Sequence, residues 1–210
     1  MFYWLTILSD GGDLFNLFRY ITFRAGGAFL TSLIFGFVFG RPLINLLRRR
    51  QGQGQPIRSD GPEAHFSKAG TPTMGGALIL GALVVSTVLW ARLDNMHIWV
   101  VLFVTIGFGA IGFADDYAKV SKQTVAGVSG KIRLGLGFGI ALVASLVAAQ
   151  LHPDGLSTQV AVPILKDALV PFGVLFFPFA MIVIVGTANA VNLTDGLDGL
   201  AIMPVMIAAA

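Results

Sequence analysis

Residues 98 to 120 read "IWVVLFVTIGFGAIGFADDYAKV". From Ile98 to Ala114 nothing ionises; then Asp115 and Asp116 arrive together, with Lys119 one helical turn further on. An apolar run of about 17–25 residues suits a helix that crosses a bilayer. If that helix continues past Ala114, Asp115 pairs with Lys119 at i,i+4 and Asp116 with Lys119 at i,i+3. Two carboxylates therefore stand at the mouth of a span, where a chain this apolar has little reason to keep them.

The rest of the chain has the same character. Of 210 residues, 55% are hydrophobic and only 12% charged, and the mean hydropathy is +0.80. Ordinary soluble domains carry about twice that charge. Further uncharged stretches run Ala25–Gly40, Met74–Ala91, Leu134–Leu151 and Ala168–Thr194, and another opens near Gly199. The pattern predicts an all-α, polytopic transmembrane bundle: five complete spans, a truncated sixth and the N-terminus outside. Buried core helices of a large soluble protein are the alternative, and five such runs in succession are rare there. Pro171 and Pro178 make the fifth helix start late or kink. With no cysteine, disulfides and thiolate metal sites are excluded. The net charge of +3 is small, and no nucleic-acid partner is expected.

Orientation follows from Lys and Arg. Arg48, Arg49, Arg50, Arg58 and Lys68 follow the first span; Lys119, Lys122, Lys131 and Arg133 lie between the third and fourth. The opposite loops carry Arg92 alone and Lys166 alone. Positive residues collect on the cytoplasmic side, which puts both rich loops, and "NLTDGLDG" after the fifth span, in the cytoplasm. "MFYWLTILSDGGDLF" lacks a basic leader and carries Asp10 and Asp13, so it reads as an interfacial segment rather than a cleaved signal. "GLAIMPVMIAAA" stops inside an apolar run, and about twelve helical residues cover only about 18 Å. The chain is read as 1–210 of one integral-membrane domain, incomplete at its C-terminal side.

Adjacent carboxylates near hydrocarbon repel with little screening. A divalent cation relieves that repulsion, and hard oxygen ligands suit Mg²⁺, which also binds substrate phosphates. A solvated helix end with a local ion pair is the plainer alternative. In "GTANAVNLTDGLDGLA", Asn189, Asn192, Asp195 and Asp198 recur every three residues, so a helix continuing from the fifth span carries them as one polar stripe. A capping turn around Gly196 and Gly199 is the competing reading. The loop "RSDGPEAHFSKAGTPTMGG" (58–76) supplies Lys68, a point charge for phosphate, and the hydroxyls of Thr71 and Thr73. Cation, basic residues and carboxylates at headgroup level suit phosphoryl transfer between a soluble donor and a lipid phosphate, where positioning and charge neutralisation do most of the catalysis. A transporter is the alternative of a different class, but it places charges near span midpoints rather than at one end.

The stretches "RSDGPEAHFSKAGTPTMGG", "GFADDYAKV" and "GTANAVNLTDGLDGLAIMP" resemble the polyprenyl-phosphate N-acetylhexosamine-1-phosphate transferase superfamily. The loop "DGPEAHFSKAGTPTMGG" is similar to its phospho-N-acetylmuramoyl-pentapeptide transferase branch rather than to relatives that use N-acetylglucosamine donors. The resemblance covers essentially all 210 residues. It implies transfer of phospho-N-acetylmuramoyl-pentapeptide from its uridine diphosphate carrier to undecaprenyl phosphate, with release of UMP. It also implies Mg²⁺ as cofactor, a homodimer, and a site on the cytoplasmic face of the bacterial inner membrane. By the same resemblance Asp115, Asp116 and Asp195 are the essential acids, with Asp115 deprotonating or orienting the lipid phosphate. Asn192, with Asp116, belongs to the metal site. Gly196, Leu197 and Asp198 lie near the uracil; Lys68, Thr73, Lys119 and Asn189 line the nucleotide and phosphate path. The family has ten spans and, in its later part, a metal-binding acid and a histidine-rich loop, so a molecule ending at Ala210 is expected to be inactive.

Overall fold

The computed structural model describes residues 1–52, 72–124, 126–153, 155–162, 168–194 and 200–209. Among these residues six α-helices form: α1 Ile21–Gln51, α2 Gly76–Trp90, α3 Met96–Lys122, α4 Gly130–Leu151, α5 Phe176–Thr194 and α6 Ile202–Ala209. Among the described residues four helical segments are long and apolar enough to cross a membrane: Ile21–Gln51, Met96–Lys122, Gly130–Leu151 and Gly173–Thr194. The last is α5 with the 3-10 turn Gly173–Leu175 leading into it. Large apolar side chains stand on the outside of these helices, Phe37 at 78% and Ile182 at 63% exposure. In water that arrangement is costly; against lipid it is what a span requires.

The expected second span is apolar and helical, but α2 has only 15 residues, about 22 Å at 1.5 Å per residue. Its start is set by Met74, whose φ of 75° is left-handed and cannot belong to a right-handed helix. Its end is set by Ala91, which is extended. The first helix is longer than the uncharged stretch that announced it. It runs 31 residues, through Pro42, which removes one helical hydrogen bond. At about 46 Å it exceeds a hydrocarbon core of about 30 Å. The last turn carries Arg48, Arg49 and Arg50, which complement the negative end of the helix dipole.

The fifth helix starts late, as its prolines predict. Pro178 falls in the first turn of α5, where its missing N–H breaks no bond. Ahead of it, β1 (Gln159–Ala161) and β2 (Leu169–Pro171) pair antiparallel, Gln159 opposite Pro171 and Ala161 opposite Leu169. This small hairpin adds strand to an architecture expected to be all helical. Pro171 ends its strand on a two-stranded sheet, where every strand is an edge and a proline is tolerated.

The chain divides into two compact units, Met1–Gly130 and Lys131–Ala210. In the first, α1 packs on α2 and α2 on α3, while the 3-10 helices Phe2–Leu8 and Leu14–Arg19 pack on each other and on that core. Glycines set the close approaches. A β-carbon on Gly109 of α3 would lie 2.7 Å from Leu80 Cδ2 of α2. One on Gly27 of α1 would lie 2.5 Å from atoms of the Trp90 ring. That ring cannot yield: Phe2, Phe18 and Phe23 surround it at centroid distances of 4.9, 5.9 and 6.0 Å. Its Nε1–H also donates to Thr31 Oγ1 at 2.9 Å. In the second unit, α4 buries Gly137, Ala141, Ala144, Ser145 and Ala149, a face of small side chains.

Gly26, next to Gly27, has open space where its β-carbon would stand. Gly27→Ala is therefore expected to destabilise by about 1–3 kcal/mol through overpacking. Gly26→Ala is expected to stabilise by about 0.5–1 kcal/mol by restricting the unfolded chain. Thermal unfolding in detergent micelles followed by far-ultraviolet circular dichroism separates the two; equal shifts of the same sign refute the packing assignment.

Candidate active site

Because α1, α2 and α3 follow one another as antiparallel neighbours, the end of α1, the residues before α2 and the end of α3 meet at one end of the first unit. The helix of the opening stretch does continue past its apolar run, to Lys122. Asp115, Asp116 and Lys119 therefore lie on its last turns. Lys119 Nζ stands 2.7 Å from Asp115 Oδ2 and 3.6 Å from Asp116 Oδ1. The local ion pair is present, but the helix end is not simply solvated: Asp115 is only 6% exposed.

A turn folds back over Asp115. Gln123 ends α3 at φ 48°, the left-handed conformation that commonly closes helices. The chain returns so that the Val128 N–H donates to Asp115 Oδ1 at 2.8 Å. The return passes so close that residue 127 must lack a side chain. A β-carbon there would strike the Asp115 carboxylate and lie 2.9 Å from Lys119 Cε. One oxygen of Asp115 thus accepts from the backbone and the other faces the ammonium.

Asp116 is more open, its side chain 32% exposed. It accepts a 3.1 Å hydrogen bond from Thr73 Oγ1. Thr73 is in turn held by Gln51 at the end of α1. The Thr73 N–H donates to Gln51 Oε1 at 2.9 Å, and Gln51 Nε2 donates to the Thr73 carbonyl at 3.1 Å. The same amide reaches Met74 Sδ at 3.4 Å. Of the residues that sequence reasoning singled out, Thr73, Asp115, Asp116 and Lys119 are brought together. Lys119 meets the acids themselves.

Asn189 and Asn192 lie on α5 in the second unit. Asn189 Nδ2 donates back to the Val185 carbonyl at 2.8 Å, and Asn192 is exposed. Lys68, Asp195, Gly196, Leu197 and Asp198 lie outside the described residues. Gln51, Gly127 and Val128 were not singled out. Gln51 is one glutamine in "RRRQGQGQ", and Val128 contributes only its backbone; neither carries a local signal. The tight glycine between two basic clusters was a signal of a kind, since a close approach is one use of glycine.

Among the described residues no group of three His, Cys, Asp or Glu could hold a metal ion. The donor set nevertheless suits a hard divalent cation. Two carboxylates face one positive centre with a hydroxyl beside them, and Mg²⁺ typically takes one or two carboxylates and completes its shell with water and substrate phosphates.

Residues 68–80 match phospho-N-acetylmuramoyl-pentapeptide-transferase signature 1, a segment that includes Thr73. The chain is 73% identical over 209 residues to the phospho-N-acetylmuramoyl-pentapeptide-transferase of a Ruegeria species. It is 71% identical to that of Ruegeria pomeroyi over 209 residues, and 69% to that of Dinoroseobacter shibae over 210. Each alignment covers 100% of this chain and 58% of the relative, so the chain spans somewhat over half the length of these proteins. Residues 98–210 match the model of glycosyl transferase family 4. That match opens on the apolar run leading to Asp115 and takes in more than half of the chain, which therefore belongs to glycosyl transferase family 4.

Proposed function

We propose that the protein transfers phospho-N-acetylmuramoyl-pentapeptide from its uridine diphosphate carrier to undecaprenyl phosphate, releasing UMP. The observation that carries this reading is the hydrogen bond from Thr73 to Asp116. It joins the segment matching the transferase signature to the acid pair of the family match. A lipid-phosphate oxygen attacks the sugar-bearing phosphorus of the donor; the new P–O bond replaces the bond to the leaving UMP. Bound Mg²⁺ supplies charge neutralisation on the diphosphate. Asp116 would provide a carboxylate oxygen to hold it; the resemblance also assigns Asn192 to the metal site and Asp195 to the essential acids.

The chain's own groups do the positioning. Asp116 presents the accessible carboxylate, fixed by the Thr73 hydroxyl. Asp115 already receives Val128 N–H and Lys119, which suits a part in orienting the site through Lys119 better than open contact with the lipid. Gln51 holds Thr73 and so acts through it. Lys68, Lys119 and Asn189 serve the phosphate path, and Gly196, Leu197 and Asp198 the uracil end. The arginines in the last turn of α1 and the lysines in the last turn of α3 support a position of this end at the cytoplasmic face of the bacterial inner membrane. The chain is read as a multi-pass membrane transferase domain with an outward N-terminus, and its partners are the two substrates, the bilayer and a second copy.

Membranes carrying these residues within a protein of the relatives' full length are expected to form the lipid-linked product from the muramoyl-pentapeptide donor. Preference for uridine-diphosphate N-acetylglucosamine in the same assay replaces this reading by that of a sister transferase. Asp116→Asn is expected to lower transfer by about 10²-fold or more, as loss of a group acting in the transition state does, with little change in thermal stability. Asp115→Asn is expected to lose activity and stability together, because it weakens the charge on which Lys119 and the turn close. Near-full activity of Asp116→Asn refutes the site. Gln51→Ala is expected to reduce kcat by about tenfold, the loss of about 1.4 kcal/mol of positioning, with KM for the donor little altered; an unchanged kcat removes Gln51 from the account.

A further inference from the structure

The geometry points to a second duty for Lys119: we propose that it is an internal counter-ion, occupying the divalent-cation seat between Asp115 and Asp116 and vacating it when a cation binds. The inference deepens the reading of this site as a cation-dependent phosphotransfer centre and rests on it. Adjacent carboxylates at the end of an apolar helix need a positive charge whether or not a metal is bound. Among the described residues one ammonium faces both, 2.7 Å from one carboxylate and 3.6 Å from the other. A seat from which both acids are reached is the seat a hard cation would choose. Lys119 and a divalent ion cannot share it, since their like charges would face each other across a poorly screened gap.

The surroundings make the lysine's movement directional. Its side chain is 20% exposed. On one side the turn at Gly127 runs so close that a β-carbon there would meet its Cε and the Asp115 carboxylate. On the other, Asp116 opens toward water. Lys119 therefore leaves toward the open side, and a flexible four-carbon stem carrying a point charge is suited to that swing. Once out, its ammonium is one short side chain from the cation and is available to an anionic phosphate oxygen. Lys119 thus opposes cation binding when no phosphate is present and favours it when one is, so that metal and substrate load together.

Two measurements on the full chain test this without requiring turnover. Titration with Mn²⁺ followed by electron paramagnetic resonance compares the parent with Lys119→Met and with Lys122→Met, which removes the same charge somewhat under one turn along the helix. Lys119→Met is expected to bind Mn²⁺ at least about tenfold more tightly than the parent, and Lys122→Met to stay within about twofold. Equal or weaker binding by Lys119→Met overturns the proposal, as does a gain that survives replacement of Asp115 and Asp116 together by Asn. Because Lys119→Met removes the ammonium that faces both acids and its fold is at risk, the second measurement uses the unaltered protein: acetic anhydride labelling of individual lysines, read by mass spectrometry. Adding Mg²⁺ is expected to raise labelling of Lys119 relative to Lys122 severalfold; an unchanged or reduced ratio overturns the proposal. In a protein of the relatives' full length, release of Lys119 without any transfer activity would sink the transferase reading alone, and transfer with an unresponsive Lys119 would sink this one alone.

Discussion

Two neighbouring negative charges at the end of an apolar helix are the constraint around which the first unit is arranged. Left alone they would repel each other and pull water into the helix end. They are met by an ammonium from the next turn, a backbone N–H from the turn that follows α3, and a hydroxyl from the residues before α2. Each partner comes from a different part of the chain, so satisfying the acids also fixes where α3 ends and where α2 begins. Structure and chemistry share their cause here: the groups that make the acids tolerable also aim them.

The two acids, identical in type and adjacent in sequence, are given different surroundings. Asp115 is enclosed and Asp116 is open. Successive residues on a helix point about 100° apart, so one can face the returning turn while the other faces Thr73 ahead of α2. Environment, rather than residue type, then divides their work, as it commonly does where paired carboxylates serve one reaction.

Much of this was legible in the sequence because its causes are local. An uncharged run predicts a helix, and spacing of three and four predicts that Lys119 reaches both acids. Prolines at 171 and 178 predict the late start of α5. What was not legible depends on contacts across the chain. No neighbouring residue marks Gln51 as the group that grips Thr73, 22 positions on. Val128 enters through an N–H that every residue but proline owns. The shortening of α2 follows from the left-handed Met74, a residue type with no preference for that conformation. The three-residue strands are too brief to announce themselves by alternation. Asp195, on which the expected convergence of acids partly depends, lies outside the described residues.

The chain has three tryptophans, and Trp4, Trp90 and Trp99 all gather at the end of the first unit remote from the acids. Trp90 sits in the aromatic cluster at the start of α1, and Trp99 donates to the Leu93 carbonyl just ahead of α3. Intrinsic tryptophan emission is therefore an optical record of one end of the first unit only. Events around Asp115 and Asp116 are dark to it, and a spectroscopist who sees no change on adding ligand has learned nothing about them until an indole is installed near the turn after α3.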